Sequence, residues 1–259
     1  MISVDWVAGP ALVMLVAAAA LGAIIGSFLG AALERMPGGR SVLRGRSSCD
    51  SCGKALTVGE LVPLVSWAVQ RGVCRGCGAP IGLWQLACEL GAAAIAVVAA
   101  VWGAFPLAAM VLGWQLLLLA LLDLRHMWLP RGLSGLLAAS GAVYALAVAW
   151  RDQDPDVLIL SLAGGAFGFA TLWLLALAYR RVRGREGLGG GDPPMLGAIG
   201  LWLGPLGVIH TLLAASFGGL LVAAAIHFGS RKIGAETALP LGTCLAAAAW
   251  PIFVWHGLI

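Results

Sequence analysis

Long apolar runs alternate with short polar stretches along the whole of this chain. A helical crossing needs about 20 mostly apolar residues to traverse roughly 30 Å of hydrocarbon. Candidate spans cover residues 7–33, 83–102, 106–122, 133–150, 157–179, 195–206, 207–228 and 238–255. The stretch 195–228 is too long for one crossing, and Leu203-Gly204-Pro205-Leu206-Gly207 supplies a natural turn inside it. The pattern therefore predicts an all-α polytopic membrane protein of about eight transmembrane helices, with seven as the alternative. The first run is too long for a signal-peptide core and lacks a basic leading region, so it reads as a retained span.

Composition agrees. Of 259 residues, 61% are hydrophobic and only 11% charged, with a mean hydropathy of +0.95. A soluble fold cannot hide that much apolar sequence behind so little charge. The expected surroundings are a lipid bilayer, and no nucleic-acid partner is expected. Charge placement then sets the orientation. With eight spans, fifteen of the sixteen basic residues share one face, and only Arg151 lies opposite, in an acidic turn. Basic loops mark the cytoplasmic side, which puts both termini in the periplasm. Trp6, Trp84, Trp102, Trp128, Trp150 and Trp255 sit near span ends and read as interfacial anchors. Gly164, Gly165 and Gly168 suit close helix packing.

Three regions follow: residues 1–35 as the first helix, 36–81 as a cytoplasmic loop, and 82–259 as a transmembrane core. The loop carries Cys49-Asp50-Ser51-Cys52 and, about twenty residues on, Cys74-Arg75-Gly76-Cys77. Two C-x-x-C pairs at this separation match a four-thiolate zinc site, closed and structural rather than catalytic. Disulfides fit poorly with a cytosolic loop, and a redox pair would not need the second knuckle. Cys88 and Cys244 lie in apolar runs and read as packing residues.

Acids at or inside spans are few: Glu89, Asp123, Asp192 and Glu236. Asp123 closes the third span in Leu121-Leu122-Asp123-Leu124-Arg125, and Asp192 opens the sixth after Gly187-Leu188-Gly189-Gly190-Gly191. The topology puts both at one membrane face. Two carboxylates within reach of each other cannot both ionise, so one can take a proton from water while the other polarises a peptide carbonyl. The plainer readings are a salt bridge from Asp123 to Arg125 or a neighbouring helix, and Asp192 as the cap of its own helix. No H-E-x-x-H or G-x-S-x-G occurs.

Four features, in order, resemble the type IV prepilin peptidases, a class of G-x-G-D intramembrane aspartic proteases. They are Gly26-Ser27-Phe28-Leu29 with Glu34-Arg35-Met36-Pro37; the double C-x-x-C loop with Leu61-Val62-Pro63-Leu64-Val65-Ser66-Trp67 and Arg71-Gly72 between its knuckles; Asp123 followed by Pro130; and Glu186 ahead of Gly189-Gly190-Gly191-Asp192. The resemblance implies a bacterial inner-membrane enzyme of type IV pilus and type II secretion systems. Asp123 and Asp192 would be catalytic, and the Gly189 and Gly191 loop would admit a prepilin or pseudopilin leader, cut after a glycine at the cytoplasmic face. It further implies N-methylation of the new amino terminus from S-adenosyl-L-methionine, with the zinc loop and the early span serving that step and Glu89 supporting it. The family's usual lysine two residues after the second aspartate is Pro194 here, and Arg131 replaces an acid that commonly follows the first motif's proline. The competing expectations are a peptidase without methylation, a transporter relaying protons through the acids, and a non-catalytic adaptor.

Overall fold

The computed structural model describes residues 5–42, 46–49, 51–228 and 240–257; Arg44, Asp50, Arg231, Lys232 and Glu236 lie outside them, as does the side chain of Trp6. The described residues form helices α1 (Asp5–Arg35), α2 (Val65–Val69), α3 (Leu83–Trp102), α4 (Pro106–His126), α5 (Arg131–Asp152), α6 (Asp156–Arg183), α7 (Asp192–Phe228) and α8 (Leu241–His256). Six of them, α1 and α3 to α7, are long and apolar enough to cross a membrane, and α8 is a shorter apolar helix. Outward-facing Phe167, Leu174, Leu213, Trp150 and Trp255 are largely exposed, as befits side chains whose solvent is lipid. Among the described residues, extended pairing is confined to two isolated bridges in the cysteine loop.

The chain divides into two compact units, residues 1–118 and 119–259. In the first, α1 packs along α3. Gly26 meets the α3 backbone so closely that a Cβ there would lie 2.5 Å from the Cys88 carbonyl oxygen. The Trp114 indole N–H donates to the Ala92 carbonyl at 3.0 Å, tying α4 to α3.

In the second unit α7 packs against α5, α6 and α8. The turn expected over residues 203–207 is a break at one residue: Gly204 has φ 70° and ψ −178°, and helical segments run on both sides of it. Pro205 opens the second segment, and because the first ends at the Gly204 break, the Leu201 carbonyl in its last turn has no helical N–H to accept from. The Ser161 hydroxyl of α6 donates to that carbonyl at 2.7 Å instead. The expected glycine packing is present at the same place, where Gly164 fits directly against the backbones of Gly200 and Gly204. Trp202 anchors the interior. Its ring stacks on Tyr144 at 5.1 Å and meets Phe253 edge-on at 5.4 Å, while its N–H donates to the Leu137 carbonyl at 2.9 Å. These contacts fix the start of α7, and with it Asp192.

Candidate active site and metal centre

Asp123 lies one turn from the end of α4, and Asp192 is the first residue of α7. They are 6% and 5% exposed, and they lie close enough for Asp192 to feel the charge of Asp123. A third element completes the arrangement. The start of α8 turns its unpaired backbone donors toward Asp123: the Thr243 N–H bonds Asp123 Oδ2 at 2.8 Å, and the Gly242 backbone also faces it. The first N–H groups of a helix have no partner in their own helix, so a carboxylate placed there satisfies them. The Thr243 hydroxyl stands 3.2 Å from the same Oδ2 and 2.9 Å from the Ala120 carbonyl of α4, so it locks the two helix ends together. Asp123 makes no ion pair with a described residue, which removes the salt-bridge reading. Sequence reasoning missed Thr243. Its one signal is a hydroxyl residue just after Pro240, at the start of an apolar run.

The capping reading of Asp192 is also overturned. An aspartate caps a helix by accepting from the second or third N–H beyond it. Here residue 194 is proline and has none, and the Met195 N–H donates to the Gly191 carbonyl at 3.2 Å. Gly191 is the capping residue, and the Asp192 carboxylate faces the Gly189 backbone instead. The two loop glycines differ in what they admit. A Cβ at Gly189 would sit 2.8 Å from Asp192 Oδ2, whereas one at Gly191 would strike Leu129 Cβ at 2.5 Å. Leu129 also packs on Gly242, so one side chain wedges between the loop and α8. Beside the loop opens a cleft of about 490 Å³, bordered by Arg131, Trp173, Glu186, Gly189 and Pro193 among others.

The cysteine loop belongs to the N-terminal unit. Its two knuckles repeat one hydrogen-bond pattern. Cys49 N–H bonds the Lys54 carbonyl and Gly53 N–H the Cys49 carbonyl, both at 2.9 Å; Cys74 N–H bonds Ala79 and Gly78 N–H bonds Cys74, both at 2.8 Å. The sulfurs of Cys49, Cys52, Cys74 and Cys77 all lie within 4.8 Å of one another, and Cys49 Sγ is 3.9 Å from Cys77 Sγ. Four thiolates held about 2.3 Å from one tetrahedral zinc stand about 3.8 Å apart, so the cluster can hold that ion with little movement. Backbone N–H groups of Cys52 and Ser51 hold the Cys49 thiol down to about 7, whereas the Ala79 N–H does not offset the Cys52, Cys74 and Cys49 sulfurs, which push Cys77 up to about 11.

Glu89, also in this unit, is 5% exposed. Its Oε1 accepts from Gln85 Nε2 and its Oε2 from the Leu64 backbone N–H, both at 2.8 Å. It thereby pins the segment between the knuckles to a membrane helix. Gln85 extends the link to Ser27 of α1, whose carbonyl and hydroxyl both stand 3.3 Å from Nε2.

Fold and site together define a polytopic helical membrane protein with a buried aspartate pair and a four-thiol loop. Residues 20–103 match the Bacterial Peptidase A24 N-terminal domain, and residues 110–224 match the Type IV leader peptidase family. The prepilin leader peptidase/N-methyltransferase of Aeromonas hydrophila is 34% identical over 220 residues, covering 81% of this chain and 71% of that one. The enzyme of the same name from Xanthomonas campestris pv. campestris is 31% identical and covers 92% and 90%. The type 4 prepilin-like proteins leader peptide-processing enzyme of Escherichia coli O78:H11 is 32% identical and covers 87% and 88%. No solved structure matches the chain. The chain belongs to the type IV leader peptidase family and is an enzyme of that peptidase class.

Proposed function

We infer that the protein cuts the leader from type IV prepilins or pseudopilins after a glycine, at the cytoplasmic face of the bacterial inner membrane, and then N-methylates the new amino terminus. The observation that carries the reading is the buried pair itself: two aspartates from different helices, neither in an ion pair with a described residue. Asp123 and Asp192 share one proton. The ionised carboxylate takes a proton from water as the water oxygen bonds the scissile carbonyl carbon, and the protonated one donates to the carbonyl oxygen. Breakdown of the tetrahedral adduct breaks the C–N bond, and the proton first taken from water passes to the departing nitrogen. The cleft bordered by Gly189 and Pro193 gives an extended peptide room beside the loop, and the missing side chain at Gly189 leaves space next to the Asp192 carboxylate.

The orientation rests on the basic loops, which put both termini in the periplasm. The four-thiol loop holds zinc as a structural ion, since four thiolates leave no coordination position for a reactant. When bound, S-adenosylmethionine supplies an electrophilic methyl group on a sulfonium. The chain's own part is to hold the donor and the freed amine together in a site that excludes water.

The deciding experiment is leader cleavage by Asp123→Asn and Asp192→Asn in membranes, with insertion checked by immunoblot. Each amide variant keeps the shape of the carboxylate and loses its proton chemistry, so cleavage is expected to fall below detection. Full processing by either variant would sink the dyad.

A further inference from the structure

The break at Gly204 turns α7 back along α8. Trp202, just before the break, meets Phe253 near the end of α8, and His210, just after it, lies beside His256. Further on, a Cβ at Gly219 would stand 3.9 Å from Cys244 Sγ, in the first turn of α8. Rising numbers in this part of α7 thus meet falling numbers in α8, and the elbow of α7 sits at the far end of α8. Thr243, whose N–H holds Asp123, lies at the near end of that helix, about 20 Å from His256 at roughly 1.5 Å per residue.

The elbow brings two imidazoles together from different helices. The rings of His210 and His256 have centroids 6.4 Å apart and planes tilted by 33°. Both residues are exposed, and neither side chain makes a hydrogen bond or ion pair with a described residue. Their surroundings on the helix surfaces are apolar: Leu206 and Leu213, one turn to either side of His210, and Trp255, next to His256, are exposed as lipid-facing side chains are. An ionisable side chain among such residues is rare and marks a functional site, and the partner within reach here is a second imidazole. Two protonated imidazoles would repel each other, whereas a metal ion takes both as neutral donors. Two imidazole nitrogens about 2.0–2.1 Å from one tetrahedral zinc put their ring centroids about 5 Å apart, so a shift of about 1 Å in two exposed side chains closes them on the ion. Imidazole suits zinc, copper and nickel, and water can fill the remaining positions.

We propose that His210 and His256 form a second metal site, for a divalent transition-metal ion such as zinc, which clasps the elbow of α7 to the end of α8. The site shares no residue with the four-thiol loop, and it fixes the far end of the helix whose start holds Asp123. The test uses tag-free, full-length protein in nanodiscs with its thiol loop already loaded, equilibrated with buffered free zinc. Bound metal is counted by elemental analysis with empty discs subtracted. The parent is expected to take up a second zinc ion and to gain Tm as it does, because an ion bound only by the folded state stabilises it. His210→Gln and His256→Gln each remove one ligand nitrogen and keep a polar side chain of similar size. Each is expected to lose the second ion and the zinc-dependent rise in Tm, while the thiol-loop ion stays. A parent that stops at the thiol-loop ion overturns the site, as does a second ion retained by either variant. A variant with a lower Tm before zinc is added is judged by its zinc-dependent shift, and a shift as large as the parent's overturns the site as well.

Discussion

Replacing Thr243 with valine isolates the contribution of α8 to the aspartate pair. The substitution preserves shape and removes one hydroxyl, which stands 3.2 Å from Asp123 Oδ2 and 2.9 Å from the Ala120 carbonyl. The stronger contact to Asp123, the Thr243 backbone N–H at 2.8 Å, survives the change. A hydrogen bond to a charged group is worth about 1.5–3 kcal/mol, and the longer of the two contacts belongs at the lower end. Loss of about 1.5 kcal/mol of positioning corresponds to roughly a tenfold fall in rate. The hydroxyl touches Asp123 and not the peptide, so the fall should appear in kcat, with KM within about twofold. Thr243→Ser keeps the hydroxyl and should restore most of the rate, an outcome that a packing role for the methyl group would not give. The assay is steady-state cleavage of a leader-bearing substrate in detergent or nanodiscs. A valine variant within twofold of the parent, or a serine variant as slow as valine, refutes the assignment of Thr243 as a positioning residue.

Three further outcomes are expected. Gly189→Ala places a Cβ 2.8 Å from Asp192 Oδ2, so one of the two must move, and cleavage should drop about 10- to 100-fold at unchanged protein level; full activity would mean that the loop yields freely. The purified chain should carry one zinc by elemental analysis, and Cys74→Ser should lose it and expose the 36–81 loop to limited proteolysis; a parent protein without metal ends the zinc assignment. Ser161→Ala should lower stability by about 0.6–1.7 kcal/mol, because the Leu201 carbonyl loses its substitute donor. Thermal unfolding reads the loss, and a Ser161→Ala variant as stable as the parent would remove this hydroxyl from the account of the break.

The helices were legible because a bilayer imposes one length and one composition on every crossing. The cysteine cluster was legible because metal geometry imposes one spacing. Asp123 and Asp192 could be nominated from sequence, since charged groups at span ends are rare enough to count. What joins them could not. Thr243 lies 120 residues from Asp123, and its backbone N–H, which carries no sequence signature, makes the shorter bond. The break at Gly204 was foreseen as a turn, but its form depends on a hydroxyl from another helix.

The two prolines after Asp192 gain a physical meaning from the same geometry. In place of a lysine at residue 194 they looked like a loss, since a cation beside a carboxylate helps to hold its charge. What they remove is two backbone N–H groups at the start of α7, including the nearer of the two that a capping Asp192 would use, while the Met195 N–H already serves Gly191. A carboxylate that cannot cap its own helix stays available to water, to Asp123 and to a peptide carbonyl. The helix still begins there because proline's fixed φ suits a first turn and needs no donor. On this argument the starts of α7 and α8 divide the work. The start of α8 gives its donors to Asp123 and fixes it in place, and the start of α7, stripped of donors by proline, leaves the Asp192 carboxylate to the Gly189 backbone and to a reactant.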